Sequence, residues 1–236
     1  MQQLLLQLAP PPPPALDNYV PGRNGAALKA LRDIARGADT ERFIYLWGEA
    51  GSGRTHLLRG LAQAAGARKA LYFIGADSHP ENDRPDNDRL ANDSLDDDKV
   101  IAMDDVQDLS AGGQIALFDR YNRVRAAGGA LVASGDAAPA QLALREDLRS
   151  RLAWGLAFQL HPLSDAEKAA ALREQARGRA LNLGEDVIAY LLKHARRDMA
   201  SLIGILDALD RYSLEQKRPV TLPLVRDALE SMKEKP

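Results

Sequence analysis

Apolar positions fall into two patterns along this chain. In the first two thirds they form short runs, at residues 42–47, 70–74, 99–103 and 130–134. Runs of that length fit strands buried on both faces of a parallel sheet. Helical spacing separates the first pair and the last pair of runs. Residues 25–37 add a leading helix with Leu28, Leu31, Ile34 and Ala35 on one face. Residues 56–65 bring Leu57, Leu58 and Leu61 together. Alternating strands and helices predict an α/β fold with a parallel sheet flanked by helices.

From about His161 only helical patterns remain. Ser164-Asp165-Ala166-Glu167 has the form of a capping box and opens a helix running to about residue 180. Residues 185–193, 199–212 and 222–232 continue the series, the last with Leu224, Val225, Ala228 and Leu229 at helical spacing. The expected organisation is a tail and tether at 1–15, an α/β base at 16–160 and a small all-α lid at 161–236. Residues 77–99 are rich in Asp and Asn and read as a solvated loop. Pro10 to Pro14 would hold an extended rod of about 15 Å, setting the apolar start of the chain away from the body. That start lacks the basic opening and long apolar core of a signal peptide.

Composition narrows the class. The chain has 236 residues, a net charge of −2 and no cysteine. Disulfides and thiolate metal sites are excluded, and the four histidines lack ligand spacing. The charge balance argues against a surface that coats nucleic acid. No run reaches the ~20 apolar residues that span a membrane. The expected location is the cytoplasm.

The chemistry begins after the first strand. Gly48-Glu49-Ala50-Gly51-Ser52-Gly53-Arg54-Thr55 matches the phosphate-cradling P-loop at every position except the lysine, which is Arg54. Glycines permit a tight turn whose N–H groups face phosphates, and the helix opening near His56 adds its positive end. Thr55 would bind Mg²⁺. Arg keeps the charge of Lys and changes its geometry. Residues 99–105 form an apolar run ending in Asp104 and Asp105. Asp104 would hold the Mg²⁺ shell, and Asp105 stands where an acid polarises the attacking water. Ser134-Gly135-Asp136 closes the next strand at the same edge, so Asp136 is placed to sense the γ-phosphate or that water. Arg149-Ser150-Arg151 precedes the lid. Arg151 is either a surface residue at a domain junction or an arginine finger reaching a neighbour's nucleotide.

This order of motifs resembles the AAA+ P-loop NTPase module of the DnaA family over roughly residues 16–235. It includes Asp104-Asp105-Val106-Gln107 and Ser150-Arg151-Leu152-Ala153-Trp154-Gly155. Residues 118–123 and 160–165 are more similar to the Hda branch, the DnaA-related regulatory inactivators. That resemblance implies Arg in the P-loop and Arg151 as a finger acting in trans on ATP bound to DnaA. It also implies a Gln-Leu-x-Leu-x-Leu motif for the sliding clamp (the DNA polymerase III β subunit), matched by Gln3, Leu4, Leu6 and Leu8. Tyr19, Val20 and Pro21 fall where the family cups adenine. The lid's usual sensor arginine is replaced by Ala200, with Arg197 one turn earlier.

The implied function is an ADP-binding (or ATP-binding) adaptor. It docks on the clamp, contacts DNA mainly through it, and switches off replication initiation by stimulating hydrolysis on DnaA. Its own ATPase would be weak or absent, and homo-oligomers are possible. The competing readings are a DnaC-like helicase loader and another stand-alone P-loop ATPase.

Overall fold

The computed structural model describes residues 12–38, 40–66, 70–75, 99–196, 198–216 and 219–233. They form two compact units that divide after Pro162.

The first unit is built on five parallel strands: β1 (Phe43–Trp47), β2 (Leu71–Ile74), β3 (Val100–Asp104), β4 (Ala130–Gly135) and β5 (Leu156–Gln159), in the order β2-β3-β4-β1-β5. Its helices are α1 (Gly25–Arg36), α2 (Arg54–Ala64), α3 (Ala111–Ala126) and α4 (Glu146–Leu152).

Successive strand residues point to opposite faces, and both faces are covered. Tyr45, Ile101, Met103, Leu131 and Ala133 pack with Leu117, Tyr121 and Val124 of α3 and Leu148 and Leu152 of α4. Their neighbours Ile44, Leu46, Val100, Ala102 and Val132 pack with Leu28, Leu31 and Ile34 of α1 and Leu57, Leu58 and Leu61 of α2. β3 and β4 are buried along their whole length, which is why they read as unbroken apolar runs. Each fully buried Leu or Val contributes about 1.5–3 kcal/mol.

Two elements escape the sequence pattern. β5 pairs with β1 at the sheet edge; its apolar run, Leu156 to Phe158, is only three residues long, and three of the strand's four residues are exposed. α4 spans only seven residues, too short for a clear helical repeat.

The second unit contains α5 (Asp165–Gly178), α6 (Glu185–His194), α7 (Met199–Gln216) and α8 (Leu222–Lys233). The predicted capping box is present: Ser164 Oγ accepts from the Glu167 N–H, and the Glu167 carboxylate accepts from the Ser164 N–H. Leu172, Leu191, Leu202, Leu206, Leu209 and Val225 fill the core. Arg179 donates to Asp207 from Nε and Nη2, at 2.9 and 2.7 Å, tying the end of α5 to α7.

Candidate functional site

A parallel sheet delivers all its strand ends to one edge. The register pairs Trp47 with Gly135 and Ile74 with Asp104. Gly48, Asp105 and Asp136 therefore leave the sheet along the same rim, where α/β folds bind ligands.

At that rim the loop 48–53 joins β1 to α2. A Cβ on Gly48 would come within 2.3 Å of the Leu160 carbonyl, so only glycine fits there. Gly53 has φ +95°, and a Cβ on it would sit 2.7 Å from the Tyr19 ring. The loop turns because these two residues have no side chain. α2 starts at Arg54, two residues ahead of the expected start, and the first N–H groups of a helix have no internal acceptor. Two buried polar atoms in the same loop also lack a partner: Ser52 Oγ and Arg54 Nη1. Buried polar groups are normally satisfied. Unspent donors converging on a glycine turn suit an oxyanion such as a phosphate. Glu49, Ala50 and Thr55 are exposed around the turn.

The acidic pair behaves asymmetrically. Asp104 is 1% exposed. One carboxylate oxygen accepts from the Tyr72 hydroxyl at 2.8 Å, and the other from the Ser134 hydroxyl. Burial, with the Asp104 charge beside it, holds the Tyr72 phenol above its ordinary range. Asp105 takes a left-handed backbone, φ 52°, and its half-buried carboxylate lies 3.5 Å from Arg54 Nη2. Gln107 Nε2 donates to it at 3.1 Å. Desolvation raises the Asp105 carboxyl above the ordinary carboxylate value, outweighing Gln107 and Arg54, which both act to lower it. Asp136 is exposed, and its charge joins those of Arg54 and Asp105 around the buried Tyr45 hydroxyl.

A second layer closes one side of the loop. The Tyr19 hydroxyl donates to the Ser52 carbonyl at 3.3 Å and accepts from Asn24 Nδ2 at 3.0 Å. Asn24 also exchanges two hydrogen bonds with the His161 backbone, at 2.9 and 2.8 Å. His56, 5.5 Å from the Tyr19 ring, meets the Ala15 carbonyl and Asn18 Oδ1 through Nε2. Both partners accept, so Nε2 carries the proton. Val20 is half-buried, and Pro21 caps the turn into α1 through its carbonyl.

Arg151 lies at the end of α4, half-buried and stacked on aromatic rings rather than paired with an acid. Ala200 lies in the first turn of α7, in the second unit. Gln3, Leu4, Leu6, Leu8 and Arg197 lie outside the described residues.

Sequence reasoning missed Tyr72, Asn24 and Gln107. Tyr72 sits in an apolar strand with no polar flag beyond its hydroxyl. Asn24 precedes α1 where an N-cap is expected, but its side chain does not cap the helix.

The family model described as the bacterial DnaA ATPase domain matches residues 14–159. This chain belongs to that family. A second model, the Hda lid domain, matches residues 165–229. Domain III of the Thermotoga maritima replication initiation protein DnaA is 21% identical, with a TM-score of 0.67, covering 96% of this chain and 100% of that one. AMPPCP-bound DnaA from Aquifex aeolicus is 21% identical, with a TM-score of 0.64, covering 89% and 71%. The Thermotoga maritima RuvB branch migration motor is 18% identical, with a TM-score of 0.63, covering 94% and 73%. These likenesses establish the AAA+ fold with a helical lid: the α/β parallel sheet predicted from the strand–helix alternation, and the AAA+ class implied by the resemblance. No helix among the described residues is long and apolar enough to cross a membrane.

Proposed function

We propose that this DnaA-family chain holds an adenine nucleotide in the loop 48–55 and acts as an adaptor that promotes hydrolysis of ATP on DnaA. The observation that carries the first part is the pair of buried, unpartnered atoms, Ser52 Oγ and Arg54 Nη1, inside a glycine turn at a helix N-terminus. Tyr19 borders that turn with His56 beside its ring, and Tyr19, Val20, Pro21 and His56 would flank the adenosine end. A Mg²⁺ carried in with the nucleotide would meet the Thr55 hydroxyl and, through water, Asp104. It would neutralise phosphate charge.

ADP is the expected resident. The Arg54–Asp105 pair engages the acid that would otherwise polarise an attacking water. A nucleotide held in this way stabilises the fold by mass action. Arg151 would be an arginine finger for ATP on the partner, with Asp136 beside the chain's own phosphates. The tail residues Gln3, Leu4, Leu6 and Leu8 would dock on the sliding clamp.

The deciding experiment has two arms. The nucleotide that copurifies with the chain is expected to be ADP. ATP turnover on DnaA is expected to rise on adding the chain and the DNA-loaded clamp, and not to rise with Arg151→Ala. Rapid hydrolysis by this chain alone would overturn the adaptor reading.

A further inference from the structure

We propose that Trp154 is the positioning residue for Arg151, holding its guanidinium by a ring face so that its N–H donors stay open for a partner's phosphate. The inference rests on the reading of Arg151 as a finger.

Trp154 is the most exposed large hydrophobic among the described residues, at 61%. Two guanidiniums lie against its ring. Arg151 Cζ lies 4.4 Å from its ring centroid, and Arg125 Cζ, from α3, lies 4.6 Å away. Phe118 adds a second ring 5.7 Å from Arg151 Cζ.

The backbone that carries the ring is fixed from both sides in sequence. The Trp154 N–H donates to the Arg151 carbonyl at 3.2 Å as α4 ends. The next residue, Gly155, lies so close to β1 that a Cβ would come 1.9 Å from the Phe43 carbonyl. The turn is therefore pinned to the sheet, and from it the indole comes within 4.4 Å of the Arg151 Cζ.

The mode of contact decides the role. A carboxylate partner consumes guanidinium donors, as Asp207 does for Arg179. Among the described residues, neither Arg151 nor Arg125 makes such an ion pair. A cation–π contact holds the guanidinium over a ring without the carboxylate acceptors of an ion pair, so N–H donors remain for phosphate oxygens. It also removes rotamer freedom before the encounter, which is the form of pre-organisation a transition-state contact needs. Arg125 on the same ring adds a like charge that keeps the field around the finger positive and attractive to an anion.

The test measures hydrolysis of ATP on DnaA against the concentration of the full-length chain. Trp154→Ala and Trp154→Leu should each lower the maximal rate about two- to fivefold, the range of a cation–π contact at an exposed site. The half-saturating concentration should stay within about twofold. Trp154→Phe, which keeps a π face, should recover most of the rate. In an Arg151→Ala background Trp154→Ala should add no further loss. A maximal rate in both Trp154→Ala and Trp154→Leu equal to wild type, with Arg151→Ala inactive, would overturn the positioning role and leave the finger standing. A change confined to half-saturation, or Trp154→Phe as poor as Trp154→Ala, would make Trp154 a docking contact and also overturn it. Full stimulation by Arg151→Ala would remove the finger itself. ADP binding by each variant should match wild type, since Trp154 lies outside the nucleotide loop.

Discussion

Arg54 Nη2 sits 3.5 Å from Asp105 Oδ1, so the arginine that replaces the P-loop lysine is tied to the acid that follows β3. Its other terminal nitrogen, Nη1, is buried and unpartnered. One guanidinium thus pairs with the chain's own acid through one nitrogen and holds the other buried without a partner. Hydrogen bonds to charged groups contribute about 1.5–3 kcal/mol. Arg54→Ala should weaken ADP binding about tenfold to a hundredfold, measured by calorimetry. Arg54→Lys should fall between the two, keeping charge without the fork. Equal affinity in all three proteins would show that phosphate does not contact this side chain.

Asp105 gives a stability prediction with a definite sign. Its folded carboxyl titrates above the ordinary value, with desolvation the largest cause. As pH rises from the ordinary carboxylate range through that raised value, the unfolded chain ionises first. The folded state then holds more protons, and stability falls across the window. Asp105→Asn removes that loss, and Asn tolerates the left-handed backbone at this position. Denaturant midpoints should be higher for the variant at neutral pH and converge with wild type below the ordinary carboxylate value, about pH 4. A variant less stable at neutral pH would mean that the ion pair with Arg54 outweighs the burial.

His56 carries the opposite slope. Burial holds it below its ordinary value, although the Ala15 carbonyl acts to raise it. As pH falls, the unfolded chain takes up the proton first. The stability His56 supplies is therefore complete above about pH 6.5 and declines as pH drops toward the depressed folded value. His56→Gln keeps a donor for Ala15 and Asn18 without a titration. The wild-type minus variant difference in melting temperature should shrink between about pH 7 and pH 5. A flat difference would show that His56 ionises equally in both states.

What could be read in advance followed the physics of burial. β1, β3 and β4 are apolar runs because both faces are covered, β2 is an apolar run at the sheet edge with only Phe73 buried, and the phosphate loop is legible because glycine spacing is covalent information. β5 is an edge strand whose three apolar residues, Leu156 to Phe158, are too few to stand out as a run, and the backbone pairing with β1 that defines it leaves no further mark on the sequence. The site was legible in its acids and glycines. The braces around them were not: Tyr72 reaches Asp104 across 32 residues, and Asn24 reaches His161 across 137. Such contacts arise from strand order, which hydrophobic period does not encode.

The tail proposal is separable from the fold. Residues 1–9 precede the proline run Pro10 to Pro14, and Ala15 and Leu16 pack against α2 close to Gly60. Removing residues 1–9 should abolish binding to the immobilised sliding clamp and leave ADP affinity and melting temperature unchanged. Unchanged clamp affinity would sink the assignment of Gln3, Leu4, Leu6 and Leu8.

Gly53 and Tyr19 should be energetically coupled. The positive φ of Gly53 costs a side-chain-bearing residue about 1–2 kcal/mol. A new methyl would also press on Tyr19 Cε2 at 2.7 Å. Gly53→Ala therefore carries two penalties, one of backbone and one of contact. Tyr19→Ala loses the hydroxyl's bonds to Ser52 and Asn24 but opens space beside the loop. In the double variant only the backbone penalty of Gly53→Ala should remain. Its total loss of stability should be smaller than the sum of the single losses by about 1 kcal/mol, within the range for residues in contact. Strict additivity in chemical denaturation would show that Tyr19 moves aside freely and does not brace the phosphate loop.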